Sequence, residues 1–272
     1  MNKRSLLAGP YILWITGFTV IPLCIIIKYA FTSRDGGFTA ENILAMFTPV
    51  HLKAMTFSTL AAVICTLICI LLSYPLVMAI RRLGLRGGSF SVFILILPMW
   101  VNFILRLLAW QMILSNNGIL SMILERLRLP AWDISNSKTA IIIGLVYDYL
   151  PYMVLSLHNS IDEIEDDLIE AARDLGANGL RIFFRIILPL SVPGLLSGIV
   201  MVFVPSMTSF VTANVLGGGK QQLIGNVIEE EFMVTMNWNL GSGLSVILMV
   251  FVLISMTFTA RNDDPGSESK VW

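Results

Sequence analysis

The sequence predicts an all-α polytopic membrane protein with six transmembrane helices, and three observations predict it. Of 272 residues, 56% are hydrophobic and only 13% are charged, where a soluble domain carries about 25%. Mean hydropathy is +0.80. Residues 54–80 (AMTFSTLAAVICTLICILLSYPLVMAI) contain no ionisable side chain except thiols and one tyrosine, and about 20 apolar residues suffice to cross a hydrocarbon core of about 30 Å. A buried helix of a soluble protein would need a polar shell that this chain does not contain.

The same reasoning places spans at about 6–31, 54–80, 90–115, 139–157, 194–217 and 240–260, in one membrane domain covering residues 1–272. The first follows Lys3 and Arg4 as a signal peptide would. Its apolar run is too long for one, and Pro22 leads into more hydrophobic chain instead of a cleavage site. The second carries Cys65 and Cys69 one helical turn apart, but no histidine or carboxylate joins them, so packing explains them better than a metal. The third and fourth contain the chain's two intramembrane charges, Arg106 and Asp148. The fifth opens with Gly194 and Gly198, a spacing that permits close helix approach. Pro22, Pro75, Pro98, Pro151 and Pro205 put a proline in each of the first five spans. Each frees backbone groups that neighbours or cavity water must satisfy. Five kinked spans suit a transport pathway better than an inert anchor.

Orientation follows from Lys and Arg placement. With both termini cytoplasmic, the inner segments hold Lys3, Arg4, Arg81, Arg82, Arg86, Arg173, Arg181, Arg185, Arg261 and Lys270. The outer ones hold Lys28, Arg34, Lys53, Arg126, Arg128, Lys138 and Lys220, so the bias is ten to seven. Lys3-Arg4 and Arg81-Arg82 abut helix ends, where the rule counts most.

Catalytic constellations are missing. The two histidines, His51 and His158, fall near opposite faces on this topology, so no shared metal or active site is expected. The stretch LGGGKQQ (216–222) lacks the Ser or Thr that must follow the lysine of a phosphate loop, and an apolar span precedes its glycines. If nucleotide powers this protein, a partner binds it.

One segment is out of character. In IDEIEDDLIEAARDL (161–175), Ile161, Ile164, Leu168, Ala171 or Ala172, and Leu175 recur at helical spacing. Carboxylates lie between them, densest at the N-terminal end where the helix dipole favours them. Gly176 supplies a left-handed stop. A second pattern follows, with Leu180, Phe183, Phe184, Ile187 and Leu188 apolar, Arg181 and Arg185 between, and Pro189 closing it. The loop 158–193 is therefore expected to form two short amphipathic helices hinged at glycine on the cytoplasmic side. An anionic leaflet would repel the carboxylates, whereas a protein partner accounts for both faces.

Glu170-Ala171-Ala172, three residues, Gly176, nine residues, then Ile186-x-Leu188-Pro189 resembles the EAA loop of binding-protein-dependent ABC importer permeases at every spacing. The flanking SYPLVMAI, LPMWVNFILRLLAW, GLVYDYLPYMVLSLHNSI, EAARDLGANGLRIFFRIILPLSVPG and LGGGKQQLIGNVI look like the first-subunit permeases of spermidine/putrescine importers, from the second span onward. The resemblance implies a type I ABC importer permease fold in a bacterial inner membrane, with a cytoplasmic coupling helix between spans four and five. It implies coupling residues Glu170, Ala171, Ala172, Arg173, Asp174, Leu175, Gly176, Ile186, Leu188 and Pro189. It also implies partners: an ABC ATPase dimer that binds ATP and Mg, a second related permease, and an extracytoplasmic polyamine-binding protein. No cofactor is expected on this chain, and no nucleic acid.

The substrate is less marked. Each intramembrane charge costs at least about 2.5–3.5 kcal/mol facing lipid, and the topology puts Arg106 and Asp148 at similar depth. Either they neutralise one another and lock two helices together, or Asp148 joins Tyr147, Tyr152, Trp100 and Trp110 in a path for a small cation. The acidic run Glu229-Glu230-Glu231 before span six would attract cations, dock a binding protein or simply be solvated. Related permeases carry iron, sulfate or opines on this architecture. A secondary transporter driven by ion gradients is the rival from another class, and a membrane-embedded enzyme a more distant one.

Overall fold

Side-chain caps and prolines set several of the helix starts. The computed structural model describes residues 9–82, 97–116, 118–127 and 134–260. Lys3, Arg4, Arg86, Arg128, Arg261, Lys270, the start of the expected first span and residues 90–96 of the third fall outside these. The described residues are helical apart from turns, loops and one isolated antiparallel bridge, Thr32–Phe38. Helix α1 (Pro10–Ala30) widens into π-helical geometry at Thr16–Val20 and resumes at Ile21. Pro22 follows directly on that widening, which departs from the regular α-helical hydrogen-bond ladder that its missing N–H would otherwise interrupt. After the short α2 (Glu41–Leu44) comes α3 (Pro49–Arg82), 34 residues long and so about 51 Å at 1.5 Å per residue. Helix α4 (Phe103–Leu114) begins at Asn102, whose side-chain oxygen accepts from the N–H groups of Ile104 and Leu105. Helix α5 is Ile119–Arg126. Helix α6 (Lys138–Asp162) is capped by Ser137, which accepts from the N–H of Ala140. There follow α7 (Asp166–Asp174), α8 (Gly179–Leu190), α9 (Val192–Met207), α10 (Phe210–Gly217), α11 (Ile224–Met233) and α12 (Trp238–Ala260).

Among the described residues, five helical runs are long and apolar enough to cross a membrane: α1, α3, Phe103–Arg126, α6 and Trp238–Thr257. The pair α8 and α9, bent by 68°, counts as a sixth if taken as one span. Two expected spans are internally broken. In the third, Pro98 sits in a 3-10 turn (Leu97–Trp100) and Asn102 caps a new helix after it. In the fifth, the helix stops at Met207, two residues after Pro205, and restarts at Phe210. The N–H and hydroxyl of Thr208 both turn back to the Pro205 carbonyl, which closes the first piece. The fourth runs to Asp162, past the expected end at 157, because Leu157, His158 and Ile161 are buried and hold the last turn down.

The chain divides into two compact units. The first comprises residues 1–55 and 227–254. Here the Asn42 amide donates to the carbonyls of Ala30 (3.1 Å) and Thr32 (3.0 Å), and Asn239 donates to the same Thr32 carbonyl. Gly243 lets α12 close on Asn42, since a Cβ there would lie 2.5 Å from its backbone oxygen. The second unit comprises residues 56–226 and 255–272. Its core lies along α6 and α9, where the Ser156 hydroxyl donates to the Gly194 carbonyl at 2.8 Å. Helix α10 presses on α6 at Gly144 through Leu216 and Thr212. Cys65 and Cys69 are buried in this core, with the Cys69 thiol 3.9 Å from the Val146 carbonyl. The glycines of LGGGK end α10, with Gly218 left-handed at φ +58°.

Candidate functional site

Two places in the second unit gather the chemistry singled out in the sequence. The first is the segment from α7 to α9. Asp166 and Asp167 occupy the first turn of α7 and Arg173 the last, the order the helix dipole favours. Gly176 ends it at φ +77°. The Gly176 N–H bonds the Arg173 carbonyl (2.8 Å) and the Ala177 N–H bonds the Ala172 carbonyl (3.0 Å), which is the Schellman closure. Nothing lies within 4 Å of a Cβ built on Gly176, so conformation rather than space reserves the position for glycine.

The buried face of α7 is narrower than the periodicity predicts. Ile161 ends α6 and Ile164 lies in the turn after it, both buried. On α7 itself Ile169 is buried and Ala172 packs half-buried against the core. Leu168, Ala171 and Leu175 are exposed, Leu175 by 88%, as are Glu170, Arg173 and Asp174. In α8 the π-helical stretch Phe183–Ile187 shifts the register. Ile182 and Ile187 turn inward, Ile186 and Leu188 are half-buried, and Leu180, Phe184 and Pro189 are left outside. Asn178 caps α8 by accepting from the Arg181 N–H. Tyr74 of α3, which sequence reasoning missed, holds the far end. Its hydroxyl lies 2.9 Å from that of Ser191, and its ring meets Phe183 edge-on at 5.4 Å.

The second place is the intramembrane pair. A guanidinium nitrogen of Arg106 (Nη2) lies 2.8 Å from Oδ1 of Asp148, which is 3% exposed. The Arg106 guanidinium stands 5.6 Å from the rings of both Phe103 and Tyr147, and Trp110 meets Tyr147 edge-on at 5.2 Å. The Thr212 hydroxyl donates to the other carboxylate oxygen at 3.4 Å and lies 2.8 Å from the Ser209 hydroxyl. Thus α4, α6 and α10 meet on one carboxylate, and Gln111 adds a bond from α4 to the Val215 carbonyl of α10. The arrangement neutralises both charges and frames a carboxylate with aromatic faces, as a cation receptor would. Its present cation is Arg106.

Of the expected path residues the structure joins Asp148, Arg106, Trp110 and Tyr147. Trp100 is 76% exposed on its 3-10 turn, and Tyr152 is exposed one turn along α6, beside Tyr149. Glu229, Glu230 and Glu231 belong to the other unit and are helical, in α11, with Glu231 accepting from the Thr235 hydroxyl at 2.7 Å. Phe103 and Thr212 carried no local signal that could have identified them. Among the described residues no three His, Cys, Asp or Glu side chains are grouped to hold a metal.

Comparison with known proteins completes the description. The family described as "Binding-protein-dependent transport system inner membrane component" matches residues 74–263. The chain is 36% identical over 249 residues to the spermidine/putrescine transport system permease protein PotB of Haemophilus influenzae, covering 89% of this chain and 87% of that one. It is 36% identical over 247 residues to PotB of Escherichia coli K12, covering 87% and 89%. Among solved structures, a bacterial ABC transporter that imports the acidic polysaccharide alginate superposes with TM-score 0.79 at 16% identity, over 95% of both chains. The alginate transporter in complex with its pentasaccharide-bound periplasmic protein gives 0.78 at 16% identity, over 94% of this chain and 92% of that one.

Proposed function

The chain belongs to the family of binding-protein-dependent transport system inner membrane components, and from that premise we propose that it is a permease subunit of an ATP-driven importer of polyamines, of the spermidine and putrescine class. The 36% identity to spermidine/putrescine permeases over nearly the whole of both chains carries the substrate class. The receptor-like setting of Asp148 is consistent with it.

In this reading α7 is the coupling helix. Leu168, Ala171 and Leu175 form an exposed apolar row among the described residues, Glu170 flanks it, and Gly176 fixes its end. The row enters a groove on one subunit of a cytoplasmic ATPase dimer, which supplies ATP and Mg. Closure of that dimer moves the spans. The chain crosses the membrane six times, with α8 on the cytoplasmic side beside α7, the broken α9–α10 segment serving the fifth crossing, and both termini cytoplasmic. A second, related permease completes the pathway, and an extracytoplasmic polyamine-binding protein delivers the substrate. Asp148, Arg106, Tyr147 and Trp110 line the path, with Trp100 and Tyr152 at its exposed flanks and the acidic run 229–231 in the outer segment.

The test is uptake of labelled spermidine and putrescine by bacteria stripped of their own importers. This chain is expressed with its neighbouring ATPase, second permease and binding protein, alongside a Gly176→Asp variant. Native complex should accumulate label, and the variant should insert normally yet import at least about tenfold less. An ATPase that responds to its loaded binding protein without polyamine uptake would keep the machine and discard the substrate. Full import by Gly176→Asp would discard the coupling role of the loop.

A further inference from the structure

Arg81 and Arg82 end α3 together, and the sequence treats them alike, as a basic pair marking the membrane face. The structure separates them. Arg82 is exposed, whereas the Arg81 side chain is only 10% exposed and turns inward. Its Nη1 donates to the Ile161 carbonyl at 2.7 Å and its Nη2 to the Ile164 carbonyl at 2.9 Å. The same Nη2 reaches Oδ1 of Asp166 at 3.1 Å. Ile161 belongs to the last turn of α6, Ile164 to the turn that follows, and Asp166 is the first residue of α7. The guanidinium therefore occupies the negative end of one helix and the acidic opening turn of the next. A planar guanidinium spreads its donors over a fixed fork of nitrogens that can reach acceptors on two elements, whereas a lysine's three donors radiate from a single atom.

This makes α3 a strut with two grips on the loop: Arg81 at the start of α7, and Tyr74, two helical turns back, at Ser191 where α9 begins. A displacement of α7 cannot be absorbed by hinging at residues 163–165 alone, because Arg81 ties the far side of that hinge to both neighbouring spans. We infer that Arg81 is the positioning residue through which movement of α7 is transmitted to α3 and α6. The inference rests on the docking of α7 to an ATPase proposed above.

The experiment reconstitutes the whole transporter with its ATPase in liposomes, adds loaded binding protein, and reads ATP hydrolysed per solute imported. Arg81→Gln should still copurify with the ATPase and hydrolyse ATP when stimulated, but its ratio should rise about tenfold. Arg81→Lys should fall between it and native. Asp166→Asn keeps both carbonyl bonds, so its ratio should rise only about two- to threefold. A native ratio in all three overturns the inference, and so does hydrolysis falling in step with uptake. If Arg81→Gln does not assemble, Asp166→Asn decides, because its exposed carboxylate is dispensable for packing and a native ratio there overturns the assignment. Docking is tested separately by crosslinking a cysteine placed at Leu168 to the ATPase. Failure of that crosslink removes the premise, whereas a crosslink with an unchanged ratio removes only the role of Arg81.

Discussion

Asp148 joins three helices through one carboxylate. It receives Arg106 from α4 and Thr212 from α10 while standing on α6. Removing one member of a buried ion pair leaves the other charge uncompensated, which costs about 3–5 kcal/mol, whereas removing both is often close to neutral. Asp148→Asn should therefore lower the melting temperature of the purified complex sharply, and the Arg106→Gln, Asp148→Asn double variant should recover most of the loss. If the carboxylate also serves the path, the recovered double variant will still import polyamine poorly. A double variant as unstable as the single one would show that the two charges do not depend on each other. Their partnership was half legible in the sequence, because each charge had to avoid lipid and their depths matched. Thr212 and Phe103 were not legible. What brings Thr212 to the carboxylate is the break at Thr208–Ser209, and no spacing around residue 212 announces it.

Among the helices, the contact of α6 with α9 is set by absent side chains. A Cβ on Gly194 would meet the backbone oxygen of Ser156 at 2.7 Å, whereas one on Gly198 would meet the terminal sulfur of Met153 at 2.6 Å. Backbone cannot retreat and a methionine end can. Gly194→Ala should therefore destabilise more than Gly198→Ala, by about 1–3 kcal/mol for the former. The order can be read from thermal melts of the two variants in detergent, and a reversed order would show that α9 shifts to relieve the clash. Both glycines were visible in the sequence as a small-residue pair, and Gly176 as a helix stop, because each requirement is local. The inward face of α7 was displaced by comparison. Its expected apolar row treated 161–175 as one helix, but the chain turns at 163–165 and the rotation about the axis starts again at Asp166. The π-helical turn at Phe183–Ile187 in α8 likewise shifts the face and leaves Phe184 outside: a change of pitch is not written in hydrophobic spacing.

At the scale of the whole molecule, the apolar surface far exceeds what one chain covers. None of the most apolar window of α1 is buried within the chain, and only about a quarter of that in Trp238–Thr257 is. Lipid and a second permease are the covers this predicts for the spans. The proposed orientation is open to a direct check. A green fluorescent protein fused after Trp272 should fluoresce, as it does only when kept in the cytoplasm, and a periplasmic phosphatase fused there should be inactive. The reverse result would invert the topology and place α7 on the wrong side for an ATPase. Of the six apolar runs expected from hydropathy, five overlap described helices long and apolar enough to cross a membrane, and the other overlaps the bent α8–α9 pair; crossing lipid imposes a length that hydropathy can read.

Leu168, Leu175, Leu180 and Phe184 each leave much of their apolar surface exposed. On the coupling role proposed above, these side chains stay wet until the nucleotide-binding partner arrives, and exposed leucine is what chaperones and proteases seize. A copy synthesised in excess of its partners thus carries its own removal label, and that label vanishes on assembly. Cells making this subunit alone should clear it faster than cells making the full set. On that proposal, the stoichiometry of the machine is policed by the same surface proposed to couple it to its ATPase.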